Sequence, residues 1–169
     1  MPHSNDLFEK YLKNETENTA HRRWALTARS YKNVDRALKD REDNDELATY
    51  GDALLKWALC ELLFDKVKNI TVAKQKYESD EVLVKVIARH YNLLDYILFD
   101  QSNPNIPKDY NYKREDRDDK PPHKYIATAA EAVLAAIYLD RGRDADCVRE
   151  IVAHWKALID QANGSRGGA

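Results

Sequence analysis

Cysteine occurs only at Cys60 and Cys147, with no metal-type spacing and no basis for a disulfide framework. Their scarcity points to a reducing, cytoplasmic setting. Cys60 lies in an apolar helical run and is expected to be a small core residue. Glycine is scarce, with five in 169 residues, and strand-like alternation is nearly absent, so the chain reads as all-α. No apolar run approaches membrane-spanning length, and Met-Pro-His-Ser-Asn-Asp at the start is unlike a signal peptide. An excess of one charge is also missing. The net charge of -2 gives no global sign of a polyanion binder. The 27 basic residues still leave room for a basic face. Four of the five prolines fall within 101–124, so that stretch cannot be one helix.

The remainder is strongly helical in pattern and large enough for one domain with its own core. A first helix is expected over Asp6–Lys13, with Leu7, Phe8, Tyr11 and Leu12 inward, and a second over His21–Arg29 with Trp24, Ala25 and Leu26. The main helix is expected from Asn44 to Lys66. Leu47, Tyr50, Leu54, Leu55, Ala58, Leu59, Leu62 and Leu63 recur there at three- and four-residue spacing. At roughly 22 residues it would span about 33 Å, enough for the central strut. Thr71 and Ser79 are candidate N-caps for two following helices, the second running from Asp80 to Tyr91. A buried-type helix is expected over Tyr125–Arg141, ended by Gly142, and an amphipathic one over Asp144–Gln161. The domain is read as 1–162, with 163–169 as a flexible tail.

Two acids interrupt the apolar runs, Asp52 in the main helix and Glu131 in the later one. A carboxylate on a core-facing helix is costly to bury unless it is paired or holds a cation. Two such acids on two long helices suggest a shared metal site. His21, His90, His123 and His154 show no ligand spacing and read as surface or packing residues.

Four segments then carry a resemblance. Asn44-Asp45-Glu46-Leu47-Ala48-Thr49-Tyr50-Gly51-Asp52-Ala53-Leu54-Leu55 resembles the N-E-R-L-E-F-L-G-D-A signature helix of the ribonuclease III family. Ala25–Tyr31 resembles the family's A-L-T-H-R-S-Y. Val86–Tyr96 resembles A-R-x-L-G-L-G-D-Y, and Thr128–Asp140 its D-T-x-E-A-L element. The resemblance covers about Trp24 to Leu158. It implies an all-α ribonuclease III endonuclease-domain bundle that dimerises through the signature helix. Of the family's four metal-directed acids, Asp52 and Glu131 survive, while Ala48 and Thr128 stand where the other two are expected. The same replacements mark the Mini-III branch, which this chain resembles as a single-domain member. No double-stranded-RNA-binding domain is expected to follow.

The resemblance implies a Mg²⁺-dependent endoribonuclease, with Mn²⁺ as a substitute, acting as a homodimer on double-stranded or structured RNA, including ribosomal precursors. Asp52 and Glu131 would ligate the metal. Asp45, two turns before Asp52, would be a secondary acid. Thr128 would orient a metal-bound water, and Lys124 would hold the scissile phosphate. Each has a plainer reading: a packing acid paired with arginine for Asp52 or Glu131, a helix-start acid for Asp45, a packing residue for Thr128, solvated surface for Lys124. Lys113, Arg114, Arg117, Lys120 and Lys124 would follow RNA phosphates, with Tyr110 and Tyr112 in support. The rival reading is a catalytically silent relative that binds RNA or a ribonucleoprotein structurally.

Overall fold

The computed structural model describes residues 6–13, 19–102 and 124–166. The basic loop residues Lys113, Arg114, Arg117 and Lys120, with Tyr110, Tyr112 and His123, lie outside them.

Helix α1 spans Leu7–Lys13 and α2 Ala20–Ala25. Arg22 of α2 reaches back to the end of α1, where its guanidinium donates to the carbonyls of Tyr11 (3.1 Å) and Leu12 (2.6 Å). A 3₁₀ turn over Arg29–Asn33 replaces the expected continuation of α2. Among the described residues, strand pairing consists of one isolated parallel bridge, Thr27 with Leu98. Helix α3 spans Asp45–Leu63 and α4 Ile70–Glu78. Asn69, not Thr71, caps α4, accepting a hydrogen bond from the Val72 amide at 3.1 Å. Asn69 has the extended backbone of a cap residue, and asparagine is as good a cap as threonine or better. Ser79 caps the next helix as expected, accepting from Val82.

That helix runs as α5 (Asp80–Val82), a π-helical segment (Leu83–Ala88) and α6 (Arg89–Tyr91). Asn92 ends it in the left-handed conformation at φ 50°. A 3₁₀ turn over Leu93–Tyr96 follows. Helix α7 spans Lys124–Asp140 and α8 Ala145–Arg166. Gly142 closes α7 at φ 67°, the left-handed geometry glycine adopts without penalty. α8 continues past the expected stop at Gln161. Its last turns include Ser165, whose hydroxyl donates to the Gln161 carbonyl.

The central element is α7 rather than α3. Ile126, Ala127, Ala129, Ala130 and every residue from Ala132 to Ile137 are buried. The many alanines make this possible, because short side chains let neighbouring helices close in on all sides. Helix α3 packs along α7 with Leu55, Ala58 and Leu59 buried. Phe8 anchors α1 in the core, 4.7 Å from the Tyr91 ring and 5.1 Å edge-on from Trp155. Of the two cysteines, Cys147 is the buried one and Cys60 only half-buried.

At the far end of α7, Asp140 ties down the amino-terminal helices. Its carboxylate accepts from Tyr11 (2.6 Å) and Thr19 (2.5 Å), and its other oxygen meets His21 Nδ1 at 2.6 Å. Burial alone would raise its pKa, but the bonds from Thr19, Tyr11 and His21 outweigh burial and hold it below the ordinary 3.8. A depressed carboxylate adds stability above its unfolded pKa and loses it as pH falls through the folded value. Asp140→Asn should therefore cost about 1–3 kcal/mol at pH 7. The gap from wild type should shrink below the ordinary 3.8. Thermal melts at pH 7 and pH 3 check both halves.

Candidate functional site

Gly51 decides how close α3 comes to α7. A Cβ built on Gly51 would lie 1.8 Å from the Glu131 carbonyl oxygen, a distance no side chain survives. The glycine is therefore the crossing point, and the residue after it, Asp52, is set down beside Glu131. Both line a cavity of about 350 Å³ with Lys56, Gln75, Glu78, Ser79 and Asp80. The last three come from the sharp corner between α4 and α5, where Ser79 takes an extended backbone. That corner turns a second acidic segment toward the acids of α3 and α7.

The electrostatics fit a cation site. The Glu131 carboxyl is raised from 4.5 to about 8, first by burial and then by the neighbouring charges of Asp52 and Asp80. Lys56 and Lys124 pull it down, but less. Lys56 Nζ lies 2.6 Å from Asp52 Oδ2, one helical turn away, and that bond raises the lysine's own pKa. A carboxyl raised first by burial and then by two adjacent carboxylates sits in a cavity with negative potential, which a divalent ion would neutralise. Carboxylate oxygens such as those of Asp52 and Glu131 suit a hard ion such as Mg²⁺, which keeps several of its waters.

The other expected site residues stand apart from this cavity. Asp45 opens α3, pairs with Arg29 at 3.2 Å, and is not among the cavity's lining residues. Thr128 is half-buried, and its hydroxyl donates back to the Lys124 carbonyl at 2.8 Å. Lys124 is exposed at the start of α7 and acts on Glu131 through its field alone. Ala48, where a family acid is expected, is 6 % exposed. Sequence reasoning missed Lys56, Glu78 and Asp80. Lys56 carried a usable signal, four residues after Asp52 on the same face. Asp80 stood only as the first residue of an expected helix, and nothing local marked its approach to Glu131.

Residues 45–142, more than half of the chain, match the model of the ribonuclease III domain. The chain belongs to the ribonuclease III family. Within the family it is 31% identical over 121 residues to "Ribonuclease 3" of Onion yellows phytoplasma (strain OY-M), covering 70% of this chain and 45% of that protein. It is 29% identical over 145 residues to "Ribonuclease 3" of Pseudomonas putida (strain F1), 83% of this chain and 53% of that one. To "Ribonuclease 3" of Pseudomonas fluorescens (strain Pf0-1) it is 30% identical over 138 residues, 79% and 51%. The chain thus spans about half the length of the curated relatives it matches. As a ribonuclease III domain it has all of α3 to α7, and with them the whole acidic cavity, inside the matched span. No helix among the described residues is long and apolar enough to cross a membrane.

Proposed function

We propose that this chain is a divalent-metal-dependent endoribonuclease that cleaves double-stranded or strongly folded RNA, working as a homodimer. The observation that carries this reading is the cavity in which Asp52, Glu131 and Asp80 converge, in a chain of this family. Asp52 and Glu131 would hold Mg²⁺, and Asp80 would add negative potential beside them. When bound, the ion supplies an acidified water and neutralises charge on the phosphate oxygens. The residues of the chain do the rest. Lys56 holds Asp52 in position and is placed to meet a phosphate that displaces that pairing. Lys124 offers a second positive charge near Glu131. The corner at Ser79 contributes Glu78, Ser79 and Asp80 to the cavity lining.

Dimerisation through α3 is part of this proposal. Tyr50 is exposed, and Leu54 and Trp57 are half-buried. Spaced at four and three residues, they form one apolar stripe along the helix. A-form RNA is read through shape, phosphates and 2′-hydroxyls, so two sites across a two-fold axis would face the two strands. Lys113, Arg114, Arg117 and Lys120 would follow phosphates. Structured precursor RNA, ribosomal RNA included, is the substrate class this reading names, and the cytoplasm its setting.

The test is cleavage of a duplex RNA by the purified chain, with Mg²⁺ and with chelator, for wild type and Asp52→Asn. Cleavage is expected only for wild type with Mg²⁺, with a loss of at least about 100-fold in the variant, the scale of removing a principal metal ligand or charge stabiliser. RNA binding without any cleavage by wild type would favour the silent relative instead. Equal cleavage by Asp52→Asn would remove the site assignment.

A further inference from the structure

Three residues far apart in sequence meet where α1, α6 and α8 come together. The ligand atoms of Asp6, His90 and His154 all lie within 4.8 Å of one another. We propose that they form a second metal site, selective for a transition ion such as Zn²⁺ or Co²⁺. It is carried by different elements from the acidic cavity and has a structural role.

The Asp6 carboxylate is 5% exposed and rigidly held. Its Oδ1 accepts from the amides of Phe8 (3.0 Å) and Glu9 (3.1 Å), and its Oδ2 from the Tyr91 hydroxyl at 2.8 Å. Outer hydrogen bonds of this kind orient a ligating carboxylate. One direction on Oδ2 is left, and it faces His154. Although 40% of the His154 side chain is exposed, its Nε2 is turned inward, 3.2 Å from Asp6 Oδ2. That nitrogen is shielded from solvent and makes no directional hydrogen bond. The two atoms lie 3.2 Å apart without the alignment of a hydrogen bond, which leaves room for an ion between them. The His90 ring stands 6.0 Å from the His154 ring at 61°. It is exposed, beside an open groove of about 660 Å³ lined also by Lys85, Leu158, Gln161 and Ser165, which gives an ion and its waters a way in.

Two imidazole nitrogens and one carboxylate oxygen suit Zn²⁺, Co²⁺ or Ni²⁺ rather than Mg²⁺ or Ca²⁺, which take oxygen ligands. With bonds of about 2.0–2.2 Å, ligand atoms in a tetrahedral site stand roughly 3.3 Å apart. Asp6 and His154 already meet that spacing, and the exposed His90 side chain closes the remainder by rotation. Water would fill the fourth position. The ion would staple the seven-residue α1 to the two helices beneath it.

The test is run on the whole chain carrying Glu131→Gln, so that the acidic cavity contributes least, with Co²⁺ or Zn²⁺ alone as probe. Calorimetry should show one equivalent bound, and Co²⁺ should develop visible absorption bands of nitrogen-containing, low-coordinate ligation. At a 100-fold excess over Kd the melting temperature should rise by about 5–11 °C. Adding His90→Gln should weaken binding at least 10-fold and erase the bands, with helical circular dichroism unchanged because His90 is exposed. Unchanged binding in the doubly substituted chain overturns the proposal. So does the absence of binding before His90 is touched, and so does binding by wild type that Glu131→Gln alone abolishes, which would assign the ion to the acidic cavity. None of these outcomes depends on RNA cleavage.

Discussion

Gly51→Ala is expected to lower the melting temperature by about 6–12 °C and to abolish RNA cleavage. Intrinsic helix preference argues for the opposite sign, since alanine is favoured over glycine inside a helix by about 1 kcal/mol. The crossing with α7 overrides that preference. The new methyl carbon would sit 1.8 Å from the Glu131 carbonyl oxygen, and the obstacle is backbone, which cannot swing aside. The two helices must part by more than an ångström along their shared interface. Overpacking of a well-filled core costs about 1–3 kcal/mol, occasionally more, and a backbone clash belongs at or above the top of that range. For a chain of this size, about 3 kcal/mol corresponds to the stated loss of melting temperature. Parting the helices also moves Asp52 away from Glu131, so activity should fall further than the lost stability explains. Activity measured well below the melting temperature separates the two effects. A stable, fully active Gly51→Ala chain would show that this crossing does not set the site.

Glu131→Gln should remove cleavage and yet make the metal-free protein more stable in alkaline solution. The folded chain holds the Glu131 proton up to about pH 8, whereas the unfolded chain releases it near 4.5. Between those values the folded state binds more protons, so stability falls as pH rises, and the loss is complete above about pH 8. Below 4.5 the group contributes no penalty, because both states are protonated. The full interval corresponds to roughly 5 kcal/mol. The cavity opens to solvent, and screening reduces this to about 2 kcal/mol. Melts in chelator should therefore show wild type and Glu131→Gln nearly equal at pH 5. At pH 9 the variant should be higher by about 4–8 °C. Parallel curves would mean that the glutamate is not held against its neighbours' charge. Added Mg²⁺ should recover the alkaline loss in wild type and do little for the variant.

The helices were readable because their apolar spacing is long and regular: Leu47 to Leu63 in α3, Ile126 to Ile137 in α7. Their ends were less so, since a cap depends on backbone angles as well as residue type. Ser79 was visible, while Asn69 was hidden behind Thr71, two positions on. The second helix ended early because the chain leaves Ala25 to pair with Leu98, some seventy residues away, a partner with no local trace. For the candidate site, Asp52 and Glu131 stood out as acids in apolar runs. Asp80 did not, because acids are ordinary in the first turn of a helix.

Taken alone, the order of residues determined that the domain is all-α, which helix faces are apolar, and which two acids sit at odds with their surroundings. Periodicity and transfer cost act over a few turns, so they are written locally. Folding decided which helix is innermost, that Gly51 lies against Glu131, that the α4–α5 corner delivers Asp80 to the same cavity, and that Asp6, His90 and His154 share one point. Each of these is a contact across tens of residues, set by how closely whole helices approach, and no local pattern encodes that distance.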